Sequence, residues 1–296
     1  MTERARLRIA FQGELGSFSD EATQQLWGGD VSRLPYRDFA DVTASVAAGV
    51  ADRGVLPIEN TMAGSIAGAH DALSAMPGLH VVAETVVSVH HCLLCAPGTS
   101  FEKITTVLCH PVAMVQCSKF FAENPQLEVH PSYDTAGAAM DVSKVADPAF
   151  AAVASRRAAL HYDLTVLRPD IEDRPDNQTR FLGIARMPLP LPPKTPARTL
   201  FVLTTGDTPG ALLSALTPLA THGVSIRRIE SRPTGEPWSY RFFVEFDHQV
   251  GDAAAEAVVR DIAALASETR LLGTFARWGA GRRGSIGWSS GAISPV

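Results

Sequence analysis

Apolar residues follow two rhythms along the first two thirds of this chain. Leu7-Arg8-Ile9-Ala10-Phe11-Gln12 is a short apolar run of strand length, and a Gly-containing turn leads from it to a helix capped by Ser17 or Ser19. A helix is expected over Asp38 to Ala48, then a strand over Gly54 to Ile58. That strand ends in the polar run Glu59-Asn60-Thr61-Met62-Ala63-Gly64-Ser65, and a helix follows through Ala69, Leu73 and Met76. Val81 to Cys95 is long, rich in Val and Leu, and reads as strand. Ile104 to Leu108, Leu127 to Val129 and Phe150 to Val153 are further strands. Between and after them lie helices opened by Pro111 and continuing to Phe120, capped at Asp134-Thr135, and capped at Ser155. From Thr179 the chain alternates, with Phe181, Gly183 and Ala185 on one side and Arg180, Leu182 and Ile184 on the other. Strand following helix in this way predicts an α/β domain over 7–186 with a largely parallel sheet.

A Pro-rich linker over 187–197 interrupts the pattern. The chain then reads strand (Thr199 to Leu203), helix (Gly210 to His222), strands (Val224 to Glu230 and Tyr240 to Phe246), helix (Ala253 to Ala266) and strand (Thr269 to Trp278). That βαββαβ order over 198–278 predicts a ferredoxin-like second domain. The Gly- and Ser-rich stretch 279–296 is expected to be a disordered tail.

Composition narrows the function classes. With 296 residues and 46% apolar content, the chain can bury two cores. A net charge of −5 without a dense basic run argues against nucleic-acid binding. No apolar stretch reaches membrane-spanning length and the charged N-terminus lacks a signal-peptide core, so a cytoplasmic protein is expected. His90-His91-Cys92-Leu93-Leu94-Cys95 has the outline of half a zinc site. In a strand, however, residues three apart point to opposite faces, so Cys92 and Cys95 would not meet at one metal. The four cysteines, with Cys109 and Cys117, are expected as buried thiols, and no metal or cofactor site is expected.

Candidate chemistry lies where strands feed helices. Ser17/Ser19, Asn60/Thr61, His110 to Gln116, and Asp134/Thr135 each set hydroxyl or amide donors at such a junction. In open α/β sheets these ends line the ligand crevice. The run Asp173-Arg174-Pro175-Asp176-Asn177-Gln178-Thr179-Arg180-Phe181 adds a hydroxyl, a guanidinium, an amide and a ring where a turn enters a strand. It is either part of the same site or a turn with a capping Thr and a solvated Arg.

In order and spacing, these motifs resemble prephenate dehydratase followed by an ACT regulatory domain, from Arg8 to Trp278. The resemblance rests on Gly13-x-x-Gly16-Ser17-Phe18-Ser19, Pro57-Ile58-Glu59-Asn60-Thr61-x-x-Gly64, His110-Pro111-x-Ala113-x-x-Gln116-Cys117, Asp134-Thr135-Ala136-x-Ala138-Ala139 and Asn177-x-Thr179-Arg180-Phe181. In the second domain it rests on Gly210-Ala211-Leu212 and Glu230-Ser231-Arg232-Pro233. The family usually has Ser at the position of Thr61, and often at that of Asp134. It implies a type 2 periplasmic-binding-protein-like catalytic domain of two lobes, with crossings near His90 and before Thr179.

The implied reaction is loss of carbon dioxide and water from prephenate to give phenylpyruvate, with no cofactor because aromatisation drives it. By resemblance the catalytic set is Thr179, Arg180, Phe181, Glu59, Asn60 and Gln116, and the substrate-binding set is Ser17, Thr61, Gly64, Thr135 and Ala136. Arg180 suits a carboxylate through its bidentate fork. Thr179 suits the leaving hydroxyl or a carboxylate, as a proton donor or as an orienting group. Glu59 either donates a proton or pairs with Arg180 or a helix N-terminus, and Phe181 either lines the ring pocket or belongs to the core. Gly210, Ala211, Leu212, Glu230, Ser231, Arg232 and Pro233 form the implied site for phenylalanine as allosteric effector, shared between chains of a homodimer or homotetramer. Arogenate dehydratase is the near alternative, and a non-catalytic amino-acid-sensing binding protein the distant one.

Overall fold

The computed structural model describes residues 6–279, so the expected tail lies outside the described residues apart from Gly279. The first lobe is a sheet ordered β2-β1-β3-β11-β5, comprising β1 (Leu7–Gln12), β2 (Val31–Tyr36), β3 (Arg53–Asn60), β5 (His80–Ser88) and β11 (Gln178–Ala185), with the two-residue β4 (Gly64–Ser65) on β3. Its helices are α1 (Phe18–Trp27), α2 (Phe39–Ala47) and α3 (Ala67–Ser74). β1 is parallel to β2 and β3, whereas β11 enters antiparallel between β3 and β5.

The second lobe is a sheet ordered β10-β6-β9-β7-β8, comprising β6 (Cys92–Cys95), β7 (Thr106–Cys109), β8 (Glu128–Pro131), β9 (Phe150–Ala154) and β10 (Thr165–Arg168). Its helices are α4 (Pro111–Gln116), α5 (Ser118–Glu123), α6 (Thr135–Val145) and α7 (Arg156–His161). The chain crosses to this lobe at residues 89–91 and returns before β11. The expected single strand over Val81 to Cys95 is therefore β5, a crossing, and β6. Cys92 packs with Ala152 and Ala154 on one face of the sheet, and Cys95 with Cys109 and Cys117 on the other. Those two cysteines diverge, as strand geometry requires.

Three further departures have simple causes. The helix opened by Pro111 breaks at Cys117 into α4 and α5. β2 carries Pro35 and mixed polarity, and lies at the edge of its sheet where a missing N–H is tolerated. β10 has only four residues, too few to show a period.

The C-terminal domain contains β12 (Pro196–Thr204), α8 (Ala211–Thr221), β13 (Ile226–Pro233), β14 (Tyr240–Gln249), α9 (Ala253–Leu265) and β15 (Glu268–Ala276). Its antiparallel sheet runs β13-β14-β12-β15, the ferredoxin-like order. β12 begins at Pro196, inside the stretch expected as linker, because Thr195 and Lys194 already pair with Val250.

One face of this sheet packs under α8 and α9 through Phe201, Leu203, Val244 and Phe246. The other face joins the first lobe: Leu200, Phe243, Leu272 and Phe275 share one core with Leu56, Ile58, Val81 and Leu182. At Gly273 the approach is so close that a Cβ would collide with the carbonyl oxygen of Val81. The two domains are thus joined through a shared apolar core.

Candidate functional site

The cleft lies between the lobes, at the carboxyl ends of their strands. The loop after β1 closes onto the second lobe through several bonds. The Glu14 N–H donates to Asp134 Oδ2 at 3.0 Å, the Tyr133 hydroxyl to Glu14 Oε1 at 2.7 Å, and the Ser155 hydroxyl to the Gly16 carbonyl at 2.7 Å. Gly16 has φ +86°, and a Cβ there would lie 2.8 Å from Ala158 Cα, so this approach of the lobes requires glycine. Asp134 also caps α6 by accepting from the Gly137 N–H at 3.1 Å. Burial raises its carboxyl above the ordinary range, while the Glu14 and Gly137 N–H groups pull it back. Asp134 is therefore a cap and a bridge between lobes.

On the floor of the cleft, β11 and β3 bring Thr179, Asn60 and Asn177 together. Asn60 Nδ2 lies 2.9 Å from Thr179 Oγ1, 2.8 Å from Asn177 Oδ1 and 3.1 Å from the Gln178 carbonyl. Asn60 Oδ1 accepts from the Met62 and Ala63 N–H groups, which fixes the amide's orientation. Thr179 Oγ1 thus faces a donor, and its own hydrogen points away from Asn60. Thr61 Oγ1 accepts from the Gln178 N–H at 2.9 Å and pins the start of β11. Gly64, at φ +78°, pairs with Asn60 as β4 turns back.

From the second lobe, buried Gln116 presents its carbonyl to His91 Nε2 at 2.9 Å. Burial lowers the pKa of His91, so the ring is neutral, with its hydrogen on Nε2 because an amide oxygen only accepts. The Gln116 NH2 group is then turned away from His91. Ser17 caps α1, accepting from the Asp20 N–H at 3.3 Å; Thr135 opens α6, and Ala136 lies buried beneath it.

Three expected residues lie elsewhere. Between β3 and β11 the register slips, Arg180 pairing with Glu59 but Phe181 with Pro57, so Ile58 is an extra residue. Such a bulge flips the facing of the chain beyond it. Asn60 then joins Thr179 on the cleft side, and Glu59 joins Arg180 on the side of the C-terminal domain. Arg180 donates from Nη2 to Glu245 Oε1 of β14 at 2.6 Å, with Glu84 3.9 Å from its Nε. Nη2 is engaged there, on the face away from Thr179, while Nε is buried without a hydrogen-bond partner, so Arg180 is not placed beside Thr179 as the expected carboxylate ligand, which corrects that expectation. Glu59 lies 3.4 Å from Arg228 Nε of β13, not against Arg180 or a helix N-terminus. Phe181, 1% exposed, is core among Ile9, Phe11, Val55 and Val87.

Comparison with known proteins gives this geometry its context. Residues 9–188 match the family model described as prephenate dehydratase, and residues 198–264 that described as ACT domain. The chain belongs to the prephenate dehydratase family. It is 33% identical over 281 residues to an Arabidopsis thaliana protein named arogenate dehydratase/prephenate dehydratase 2, chloroplastic, covering 92% of this chain and 73% of that one. It superposes on the prephenate dehydratase of Arthrobacter aurescens, solved with L-Phe, with TM-score 0.83 and 32% identity over 91% of this chain and 89% of that one. A structure described as GqqA, a quorum quenching acylase, gives TM-score 0.81 and 35% identity over 90% of this chain and 97% of that one.

In the ACT domain, Gly210 caps α8 at φ +83°, Ala211 begins the helix and Leu212 packs beneath it. Glu230 and Arg232 on β13 face the catalytic domain: Glu230 lies 3.3 Å from Arg228 Nη2, and Arg232 binds Asp71 of α3 at 2.7 Å. Ser231 and Pro233 are exposed on the same strand, which is an edge of its sheet. In one chain β14 separates β13 from the strand that leads to Gly210.

Arg228 extends the junction, reaching Ser65 Oγ at 3.1 Å and His70 Nε2 at 2.9 Å. His70 is 1% exposed and Nδ1 faces the Ile66 carbonyl at 3.1 Å, so Nδ1 carries the hydrogen and Nε2 accepts from Arg228. Burial first, then Arg228, lowers its pKa to about 4, against the pull of Glu230 and Glu245. The folded value lies below the unfolded one, so stability is complete above pH 6.5 and is lost as pH falls towards 4. This group alone is expected to remove about 3 kcal/mol over that window. Urea unfolding of the wild type and of His70→Asn at neutral and mildly acid pH checks it, since the substitution removes the titration.

Among the described residues, His90, Asp170 and Glu172 place possible metal-ligand atoms within 4.8 Å of one another at the crossing between lobes. His90 Nδ1 already binds Glu172 Oε1 at 2.7 Å, and the His91 N–H binds Glu172 Oε2 at 2.9 Å. Those bonds account for the cluster as a clasp. Among the described residues no helix is long and apolar enough to cross a membrane.

Proposed function

We propose that this enzyme converts prephenate to phenylpyruvate, with Thr179 as its central catalytic group. The carrying observation is the Asn60–Thr179 pair, which leaves a hydroxyl hydrogen free for the substrate. The bond from ring to carboxylate breaks and releases carbon dioxide. Its electron pair moves into the ring, the ring C–O bond breaks, and the departing hydroxide takes up a proton from solvent to leave as water. Thr179 orients the leaving oxygen, and Asn60 and Asn177 hold Thr179 in place. We assign the two substrate carboxylates to neutral donors, Gln116, Ser17 and Thr135, because Arg180 lies on the face away from Thr179, with its Nη2 bonded to Glu245. Helix N-termini favour such anions.

An acylase reading would require a nucleophile activated by a base. Thr179 Oγ1 faces an amide NH2, which only donates, so that reading lacks support here. Arogenate differs from prephenate by an ammonium in place of a keto group and would fit the same donors. A sensor without catalysis is disfavoured by the family membership.

Phenylalanine is proposed as effector at Gly210 to Leu212 and Glu230 to Pro233, joined across two chains. The open edge β13, with exposed Ile226 and Ile229, supports at least a dimer. A cytoplasmic location is proposed from four free, buried cysteines.

The test offers prephenate and arogenate separately to the purified full chain, with chelator present, and measures phenylpyruvate and phenylalanine. Prephenate turnover, inhibited by phenylalanine with a coupling of about 1–3 kcal/mol, is expected. Gly210→Val is expected to weaken that inhibition more than the turnover. Preference for arogenate would reassign the substrate, and consumption of neither would overturn the proposal. Removal of the ACT domain is a poor substitute, because it would expose Leu56, Ile58 and Leu182.

A further inference from the structure

A crevice of about 440 Å³ opens where the ACT sheet overhangs the end of α3. It lies on the sheet face turned towards the catalytic domain, beside Val202, whereas Leu212 and the start of α8 pack on the opposite face. It is therefore distinct from the cleft and from the Gly210–Leu212 part of the proposed effector site, although Arg241 on its wall is the cross-strand partner of Arg232.

Its lining includes Arg241 and Arg270. Arg270 is fixed by donating to the Leu73 carbonyl at 2.9 Å and the Ser74 carbonyl at 3.2 Å, the last carbonyls of α3. Arg241 is fixed by donating to the Thr234 carbonyl at 3.0 Å. Neither guanidinium is ion-paired among the described residues, and the Nε of each is shielded from solvent without a partner. Ser74 Oγ is shielded and unpartnered in the same way. Burial, then the charge of Arg241, lowers the pKa of Arg270, with Glu268 opposing. Glu236 and Glu268 also line the crevice, but neither pairs with the arginines. The hydroxyl residues Thr204, Thr205 and Ser239 complete the wall.

Arg241 and Arg270 repel one another, and the carboxylates on the same wall, Glu236 and Glu268, do not reach either of them as an ion pair, so the buried Nε groups and the Ser74 hydroxyl are left for another acceptor. We propose that this crevice is a second ligand site, for a small oxyanion such as a carboxylate or a phosphate, held between Arg241, Arg270 and the Ser74 hydroxyl. Both arginines are pre-set by backbone carbonyls, so little ordering is required when the anion arrives. A bound anion would bridge α3 to β14 and β15 and tighten the junction between the domains.

The test is thermal unfolding of the full chain in inorganic phosphate, in malonate and in chloride, at matched ionic strength. The wild-type midpoint is expected to rise by about 2–5 °C in at least one of the two oxyanions relative to chloride. Phosphate alone acting would name a phosphate ligand, and malonate alone a dicarboxylate. Arg241→Gln is expected to lose most of the rise and to keep inhibition by phenylalanine. Arg270→Gln would also free the end of α3, so Arg270→Lys is the companion: it keeps the charge, loses the fork and should retain only part of the rise. An equal rise in all three proteins would be a general salt effect and would overturn the proposal, as would no rise in the wild type.

Discussion

Thr179→Ala is expected to lower kcat by roughly 10²–10⁴-fold, the range for loss of a positioned group acting in the transition state. The fold should survive. Asn60 Nδ2 would lose one acceptor but keep Asn177 Oδ1 and the Gln178 carbonyl. The stability cost is then that of one ordinary hydrogen bond, about 1 kcal/mol. KM should change little if the hydroxyl acts on the departing oxygen, because that contact strengthens only as the C–O bond breaks. Thr179→Ser keeps the hydroxyl and should retain more activity, reduced by the rotamer freedom that the β-methyl removes. Steady-state kinetics on prephenate, with circular dichroism as the fold control, decides the matter. A Thr179→Ala enzyme with near-normal turnover would remove this residue from the chemistry.

The sequence made some of this legible and hid the rest. Polar junctions at Ser17, Asn60, Gln116 and Thr135 could be read because a strand feeding a helix leaves free donors at one end of a sheet. The alternation from Thr179 already placed Arg180 on the face opposite Phe181, so both could not serve one pocket with Thr179. Which face was the cleft depended on the bulge at Ile58, and an extra residue leaves no trace in a period-2 pattern. Glu59 was misplaced for the same reason. His91 looked like half a metal site, and its role beside Gln116 appears only when the crossing between lobes is folded. Asn177 stood in the motif, but nothing local marked its amide as a partner of Asn60. The union of the two domains was invisible, because Leu200, Phe243, Leu272 and Phe275 read as an ordinary domain core until the first lobe covers them.

Arg180→Gln is expected to act on stability and on the junction between domains, with little effect on KM. Glu245 is fully buried and has its one short ionic contact from Arg180, at 2.6 Å, with Arg228 and Arg198 farther off at 3.7 and 3.8 Å. Glu84 is also buried, 3.3 Å from Arg198 and 3.9 Å from Arg180. Removing Arg180 leaves one cation fewer beside two buried carboxylates, and breaking such a pair from one side costs about 3–5 kcal/mol. Glu245→Gln should cost a similar amount. The double variant Arg180→Met/Glu245→Met, which leaves neither charge of the pair buried, should recover much of the loss. Because β11 carries Thr179 next to Arg180, a loosened junction should also weaken the response to phenylalanine. Urea unfolding of the full chain and KM for prephenate, measured together, separate this account from the alternative. If Arg180→Gln leaves stability intact and raises KM by orders of magnitude, the guanidinium serves the substrate, and its bond to Glu245 is incidental.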